Sequence, residues 1–227
     1  MKKIIGLALG LLLLFACGPV FRTVVRMGPV ACEDGSFISL DGNSITSVKD
    51  GVKISARFLD LNDLKKLGEP GERNPYAGNE KTFFTVFEVV IENGTDDKIS
   101  MDPSKCAVLD GLGNQYNAFT AEYFKDLYPS TTVQYLSRLP ASEQYQTSLI
   151  YTDDYYRRKT VDQTILKQQD IYAGVKQKGV LVFEQVGREV PGITLIIPGV
   201  SIWKNGVELK RLDFRFKFIQ EVKIERE

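Results

Sequence analysis

Side chains able to carry acid–base or nucleophilic chemistry are few in this chain of 227 residues. There is no histidine, which removes the Ser-His and Cys-His nucleophile systems and the commonest metal ligand. No Cys-x-x-Cys pair is present for zinc or thiol redox chemistry. No Gly-Lys-Ser/Thr phosphate loop occurs either. Asp96-Asp97 and Asp153-Asp154 are adjacent carboxylates. Neighbouring residues of a strand or helix point in different directions, whereas glycosidase pairs converge across a cleft. They read as turn and cap residues. Asp41-Gly42-Asn43 and Asp110-Gly111-Leu112-Gly113-Asn114 suggest calcium, but neither has a twelve-residue spacing closed by Glu. Both read as turns. No cofactor or metal is expected.

The most unusual composition is aromatic. Nine of the ten tyrosines lie between Tyr116 and Tyr172. Tyr151, Tyr155 and Tyr156 run into the basic pair Arg157 and Arg158, followed by Lys159. Tyrosine gives rigid contact area with a polar tip and is favoured at binding surfaces. The other reading is that these rings seal a segment onto the domain with their hydroxyls outward. A partner surface is expected, if anywhere, at Tyr151, Tyr155, Tyr156, Arg157 and Arg158.

Three cysteines remain to be placed. Met1-Lys2-Lys3 precedes an apolar run from Ile4 to Ala16, shorter than the ~20 residues a spanning helix needs. A short basic stretch followed by a short apolar one is the layout of a secretory signal. Its end, Leu14-Phe15-Ala16-Cys17, resembles a bacterial lipobox, with an aliphatic residue three places before Cys and a small one just before it; Phe15 departs from that pattern. The resemblance implies cleavage before Cys17 and acylation of its thiol. Gly18, not Asp, follows Cys17. That implies passage to the outer membrane, facing the periplasm, in a two-membrane host, and otherwise the outer face of the cell membrane. An oxidising compartment permits a Cys32–Cys106 disulfide, but only geometry decides it. The alternative is that each is a small buried hydrophobe. Loss of residues 1–16 takes two lysines, leaving 27 basic against 29 acidic residues, 29 − 2 against 29. A net charge near −2 argues against nucleic acid as a partner.

The elements that would position these groups are mostly strands. Ile45–Phe58 reads as a hairpin around Asp50-Gly51, which suits a type I′ turn. Residues 60–80 read as loop. Thr82–Glu92 is apolar on both faces, as in a strand covered on both sides. Short strands follow at Ile99–Met101 and Lys105–Leu109. Residues 119–175 form a mixed insertion. It holds a helix over Ala121–Leu127 capped by Thr120, a strand over Gln144–Tyr151, and a helix from Tyr155 to about Gln169 capped by Asp153 or Asp154. Strands return at Gly179–Glu184, Ile193–Ile197 and Val200–Lys204. The Asn205-Gly206 turn leads to a last strand, in which Leu212, Phe214, Phe216 and Phe218 alternate with charged residues. Residues 17–35, with Gly18-Pro19 and Gly28-Pro29, read as a tether that packs in part on the domain.

Many short strands with regular turns predict a mainly β chain, a β-sandwich with a mixed α/β insertion, as one domain over 36–227. Phe87–Ile99, Asp102-Pro103-Ser104 and Asp110–Tyr116 resemble the telokin-like, immunoglobulin-like domain of bacterial exported lipoproteins. Such domains show an apolar strand ending in Asn, a polar turn and a later Asp-x-x-Gly-x-x-Tyr. Lys178–Glu184 resembles their Gly-x-Leu-Val-Phe strand. The resemblance covers roughly residues 80–118 and 178–220, and implies a scaffold with no fixed activity. The expectation is a lipid-anchored cell-envelope module that binds a protein or polymer, or assembles with one, without catalysis. The competing class is an envelope hydrolase with convergent carboxylates.

Overall fold

The structure is a computed structural model. It describes residues 21–31, 36–40, 42–68, 73–79, 81–129 and 141–226, with the backbone alone for 21–24, 141–152 and 224–226. Residues 1–16, expected as a signal segment, and Cys17 and Cys32 lie outside the described residues.

Two antiparallel sheets share one core. The five-stranded sheet has the order β10 (Lys176–Glu184), β5 (Phe84–Asn93), β4 (Val52–Phe58), β3 (Ser44–Lys49) and β2 (Phe37–Ile38). The seven-stranded sheet runs β1 (Phe21–Val30), β12 (Val207–Arg226), β11 (Gly192–Lys204), β6 (Lys98–Met101) and β9 (Gln169–Ile171). β7 (Ala107–Asp110) also pairs with β11, and β8 (Gln115–Asn117) pairs with β7. Along the edge opposite β12, β11 serves two partners, one on each side of the irregularity between Ile197 and Val200, at Pro198-Gly199. Ile193–Ile196 pair with β7 before the break, and Ser201–Trp203 pair with β6 after it.

The turns form for the reason the dipeptides suggest. Asp50 and Gly51 have φ of 48° and 80°, and Asn205 and Gly206 have 49° and 80°. Both residues of each turn are left-handed, as a type I′ hairpin needs. Strand alternation then fills the space between the sheets. Leu212, Phe214, Phe216 and Phe218 on β12 meet Ile45, Ile54, Phe87, Val89 and Ile91 from the other sheet.

The outer face of β5 and β10 is covered as well. Val86, Val180 and Val182 pack beneath α2 (Ala121–Leu127) and α3 (Ala141–Thr164), together with Leu64 of the short α1 (Leu61–Lys65) and Tyr76. This second apolar layer covers the outer face of β5 at its Phe84–Val86 end, while Glu88, Val90 and Glu92 farther along that face are half-buried. The Ile165–Leu166 segment leaving α3 lies directly on β10, with the Leu166 amide donating to the Val180 carbonyl at 2.9 Å. Gly179 permits this approach, since a Cβ there would sit 2.7 Å from Leu166 Cα.

Three expectations are corrected. Phe21–Val30, expected within a tether, is a full edge strand that pairs with Lys217–Arg226 over ten positions. Its apolar residues have a partner strand of matching length, which makes them part of the sheet. Gln144–Tyr151, expected as a strand, is helical: it lies within α3, which runs from Ala141 to Thr164, and the strand propensity of its Thr, Ile and Tyr residues is overridden. Asp153 and Asp154 therefore lie inside the helix instead of capping it, and the helix stops at Thr164, before Gln169. Residues 60–80 are not all loop, because Asp60 caps α1 by accepting from the Asp63 amide at 2.9 Å. Among the described residues, no helix is long and apolar enough to cross a membrane.

Candidate functional site

The last four turns of α3 divide the expected partner residues between two sides. Asp154, Thr160 and Val161 are buried, whereas Tyr155 is 62% exposed, and Lys159, Asp162 and Gln163 are exposed with it. Positions 155, 159 and 162–163 recur on one face at helical spacing, and 154, 157 and 161 on the other.

Tyr156 and Arg157 are half-buried, and both contact groups packed beside the helix. The Arg73 guanidinium lies 4.8 Å from the centre of the Tyr156 ring, and Arg73 Nε donates to Asp153 Oδ1 at 2.8 Å. Arg157 donates to Asp154 at 2.9 Å and stands 5.3 Å from the Tyr128 ring centre. The Tyr128 hydroxyl in turn donates to the Pro75 carbonyl at 3.0 Å. Thr164 Oγ1 donates to the Thr160 carbonyl, so the Tyr76 hydroxyl, 2.7 Å away, donates to Thr164. Burial pushes the Tyr128 hydroxyl up to about 12, with Arg157 opposing, and raises Tyr76 as well. These groups clamp residues 73–77 under α3.

Tyr155 is exposed and Arg158 half-buried beside it. With Lys159, Asp162 and Gln163 they line a hollow of about 480 Å³. Tyr151 lies on α3 one turn earlier, and its side chain is outside the described residues. Of the five expected partner residues, the structure thus places Tyr155 and Arg158 on one open surface and gives Tyr156 and Arg157 structural contacts.

Asn93 and the Asp110 turn have structural roles. The Asn93 amide donates to the Asp97 and Ile171 carbonyls at 2.8 Å each, and its oxygen accepts from Thr95. This ties the turn after β5 to β9. Asp110 accepts from the Leu112 amide, the Asn114 amide and side chain, and the Tyr116 hydroxyl, at 2.7–3.2 Å. Burial works against its charge, but the donors prevail and hold the carboxyl below its ordinary range. Among the described residues no group of three or more His, Cys, Asp or Glu could hold a metal. Cys106 is a free, fully buried thiol, 4.0 Å from Met101 Sδ, and burial pushes it up to about 12. Its expected partner Cys32 is outside the described residues.

Two further hollows were not anticipated. One of about 570 Å³ sits at the sandwich rim between Val30, Leu109, Pro191, Ile193, Phe218 and Ile219, with Asp110 beside it. The other, about 530 Å³, contains Trp203, Lys98 and Asp170. Alternation offered a signal for the second: Ile202 is a core residue, so Trp203 must face out. Each of the three hollows is lined by a single carboxylate. No protein-family model, curated protein or solved structure matches this chain.

Proposed function

We propose that the chain is an exported lipoprotein, held on a cell-envelope membrane by acyl chains on Cys17. Its sandwich, which we read as immunoglobulin-like, serves there as a non-catalytic binding or assembly module. The observation that carries this is Lys2-Lys3, the apolar run to Ala16, and Leu14-Phe15-Ala16-Cys17. Each methylene of an acyl chain contributes about 0.8 kcal/mol when buried in a bilayer, and several chains together hold a protein firmly. Cys17 and Phe21 are four residues apart (21 − 17), so the first strand starts within about 14 Å of the anchor.

Several features support binding over catalysis. The chain has no histidine. Asp153, Asp154 and Asp110 are engaged by Arg73, Arg157 and the turn donors. The hydrolase alternative needs two carboxylates converging on one cleft, and each described hollow has one. The immunoglobulin-like reading draws support from two antiparallel sheets on one core, and from the turn-forming roles of Asn93, Asp110 and Tyr116. The partner in this reading is an envelope protein or polymer that meets Tyr155 and Arg158, and not nucleic acid.

Replacing Cys17 by Ser tests the anchor. In a bacterial host the wild-type chain should sediment with membranes, and the Cys17→Ser chain should appear in the soluble fraction. A Cys17→Ser chain that stays with membranes to the wild-type extent contradicts the reading.

A further inference from the structure

The outer face of the seven-stranded sheet carries a second hollow. β6, β9 and the end of β11 enclose the hollow of about 530 Å³ lined by Lys98, Ser100, Gln168, Gln169, Asp170 and Trp203. Ile99 and Ile202 pair across β6 and β11 and enter the core, so the neighbouring pairs, Ser100 with Ser201 and Lys98 with Trp203, lie on the opposite face of the sheet, where Ser201 is buried and Lys98, Ser100 and Trp203 line the hollow. Trp203 is the single tryptophan of the chain. Its indole N–H donates to Ser100 Oγ at 2.8 Å, which fixes the ring plane before any ligand arrives. Lys98 Nζ lies 2.9 Å from Asp170 Oδ2 and 5.8 Å from the centre of the indole.

The chemistry of this lining selects a ligand class. Lys98 and Asp170 cancel, Gln168 and Gln169 are uncharged, and so the hollow has no net charge with which to select an anion or a cation. The adjoining Glu208–Arg211 pair, at 2.9 Å, is likewise neutral as a unit. Apolar lining is confined to one aromatic ring, which suits neither an acyl chain nor the apolar face of a helix. What remains is a flat ring surrounded by two amides, a carboxylate, an ammonium and a hydroxyl. A pyranose matches this set, with C–H groups on one face for the ring and equatorial hydroxyls for paired donors and acceptors.

We propose that this hollow binds a neutral pyranose oligosaccharide, with a sugar ring stacked on Trp203 and hydroxyls held by Asp170, Lys98 and the glutamine amides. The site does not depend on acylation of Cys17. Its position suits a polymer at a distance from the chain's first strand. Trp203 pairs with Glu208, and Arg226 pairs with Phe21. The 18 residue steps from Glu208 to Arg226 (226 − 208) span on the order of 60 Å of strand.

One tryptophan per chain makes the test direct. The full chain, purified in detergent, is titrated with two neutral probes, cellotriose and the β-1,4-linked trimer of N-acetylglucosamine, while indole emission is followed. At least one should give a saturable change. Asp170→Asn, which keeps the fluorophore, should weaken that binding tenfold or more with an unchanged melting temperature. Trp203→Ala, followed by calorimetry, should abolish it, and Trp203→Phe should retain part of it. Tyr155→Ala should leave it unchanged. No saturable change with either probe, or binding that survives both Asp170→Asn and Trp203→Ala, overturns the proposal. So does a protein partner whose capture is lost in Trp203→Ala while neither sugar binds.

Discussion

Where β5 and β10 lie side by side, the five-stranded sheet is covered on both faces, but by different means. Toward the other sheet the filling is aliphatic and phenylalanine, with Phe87 against Phe218 at 4.9 Å and Phe183 at 6.2 Å between ring centres. Toward the helices it includes Tyr76 and Tyr128, whose hydroxyls are bound to Thr164 and the Pro75 carbonyl. A regular strand can bury every second residue without spending a polar group. An irregular insertion has loop carbonyls and helix hydroxyls to satisfy, and tyrosine supplies apolar area and a donor from one side chain. Within residues 116–172, Tyr128 and Tyr156 therefore serve packing, whereas Tyr155 is exposed at the α3 hollow, and Tyr123 and Tyr172 are exposed elsewhere.

The largest effect should come from the sheet–sheet core. Phe87→Ala removes a ring at the centre of a phenylalanine cluster and should cost about 3–5 kcal/mol in urea unfolding. Tyr128→Phe keeps the volume but leaves the Pro75 carbonyl unpaired, at a cost of about 1–3 kcal/mol. If Tyr128→Phe costs nothing, the hydroxyl bonds do not distinguish the two layers. A smaller contrast lies on α3. Tyr156→Ala loses the Arg73 contact and should lower the melting temperature. Tyr155→Ala should change stability by less than about 0.5 kcal/mol and should reduce partner capture. Equal thermal shifts for the two would place both rings in packing.

Alkaline titration sharpens the comparison further. Tyr128 ionises near 10 when unfolded and near 12 when folded. The folded state thus holds its proton more tightly, and that contribution is intact below pH 10 and lost as pH rises from 10 to 12. Urea midpoints measured across this range should fall less steeply in Tyr128→Phe than in the wild type. The smallest effect is expected at the Asp110 turn. Its carboxyl titrates below the unfolded value, so its contribution is present above about pH 4 and lost as pH falls through the folded value. Asp110→Asn should flatten the acid limb of the stability profile.

Strand positions were legible where period-two alternation met a strong turn. The β3–β4 and β11–β12 hairpins and the Phe214–Phe218 face follow from Asp50-Gly51, Asn205-Gly206 and alternate phenylalanines. The double cover of β5 was legible in part: Phe84 and Val86 are apolar on the face opposite Phe87 and Val89 and are covered, whereas Glu88, Val90 and Glu92 on that face stay half-buried. β1 was obscured by Gly28-Pro29 and by its partner, which lies almost two hundred residues away, a distance over which local patterning says nothing about pairing. The first half of α3 was obscured because Tyr145, Thr147, Ile150 and Tyr151 suit strands by propensity, and tertiary context overrides so weak a preference. The expected partner cluster was legible as a group of residues but not in its division. Tyr155 and Tyr156 are adjacent in sequence, and the turn of a helix sends one outward and the other under Arg73.

Where the molecule works rests on Cys17, and one mass decides it. The chain is expressed from its full reading frame, extracted from membranes, and its N-terminal fragment is weighed. The proposed anchor predicts a fragment starting at Cys17 that carries the added mass of a diacylglyceryl group, without residues 1–16. An unmodified fragment starting at any other residue, or at Met1 with the apolar run retained, contradicts it.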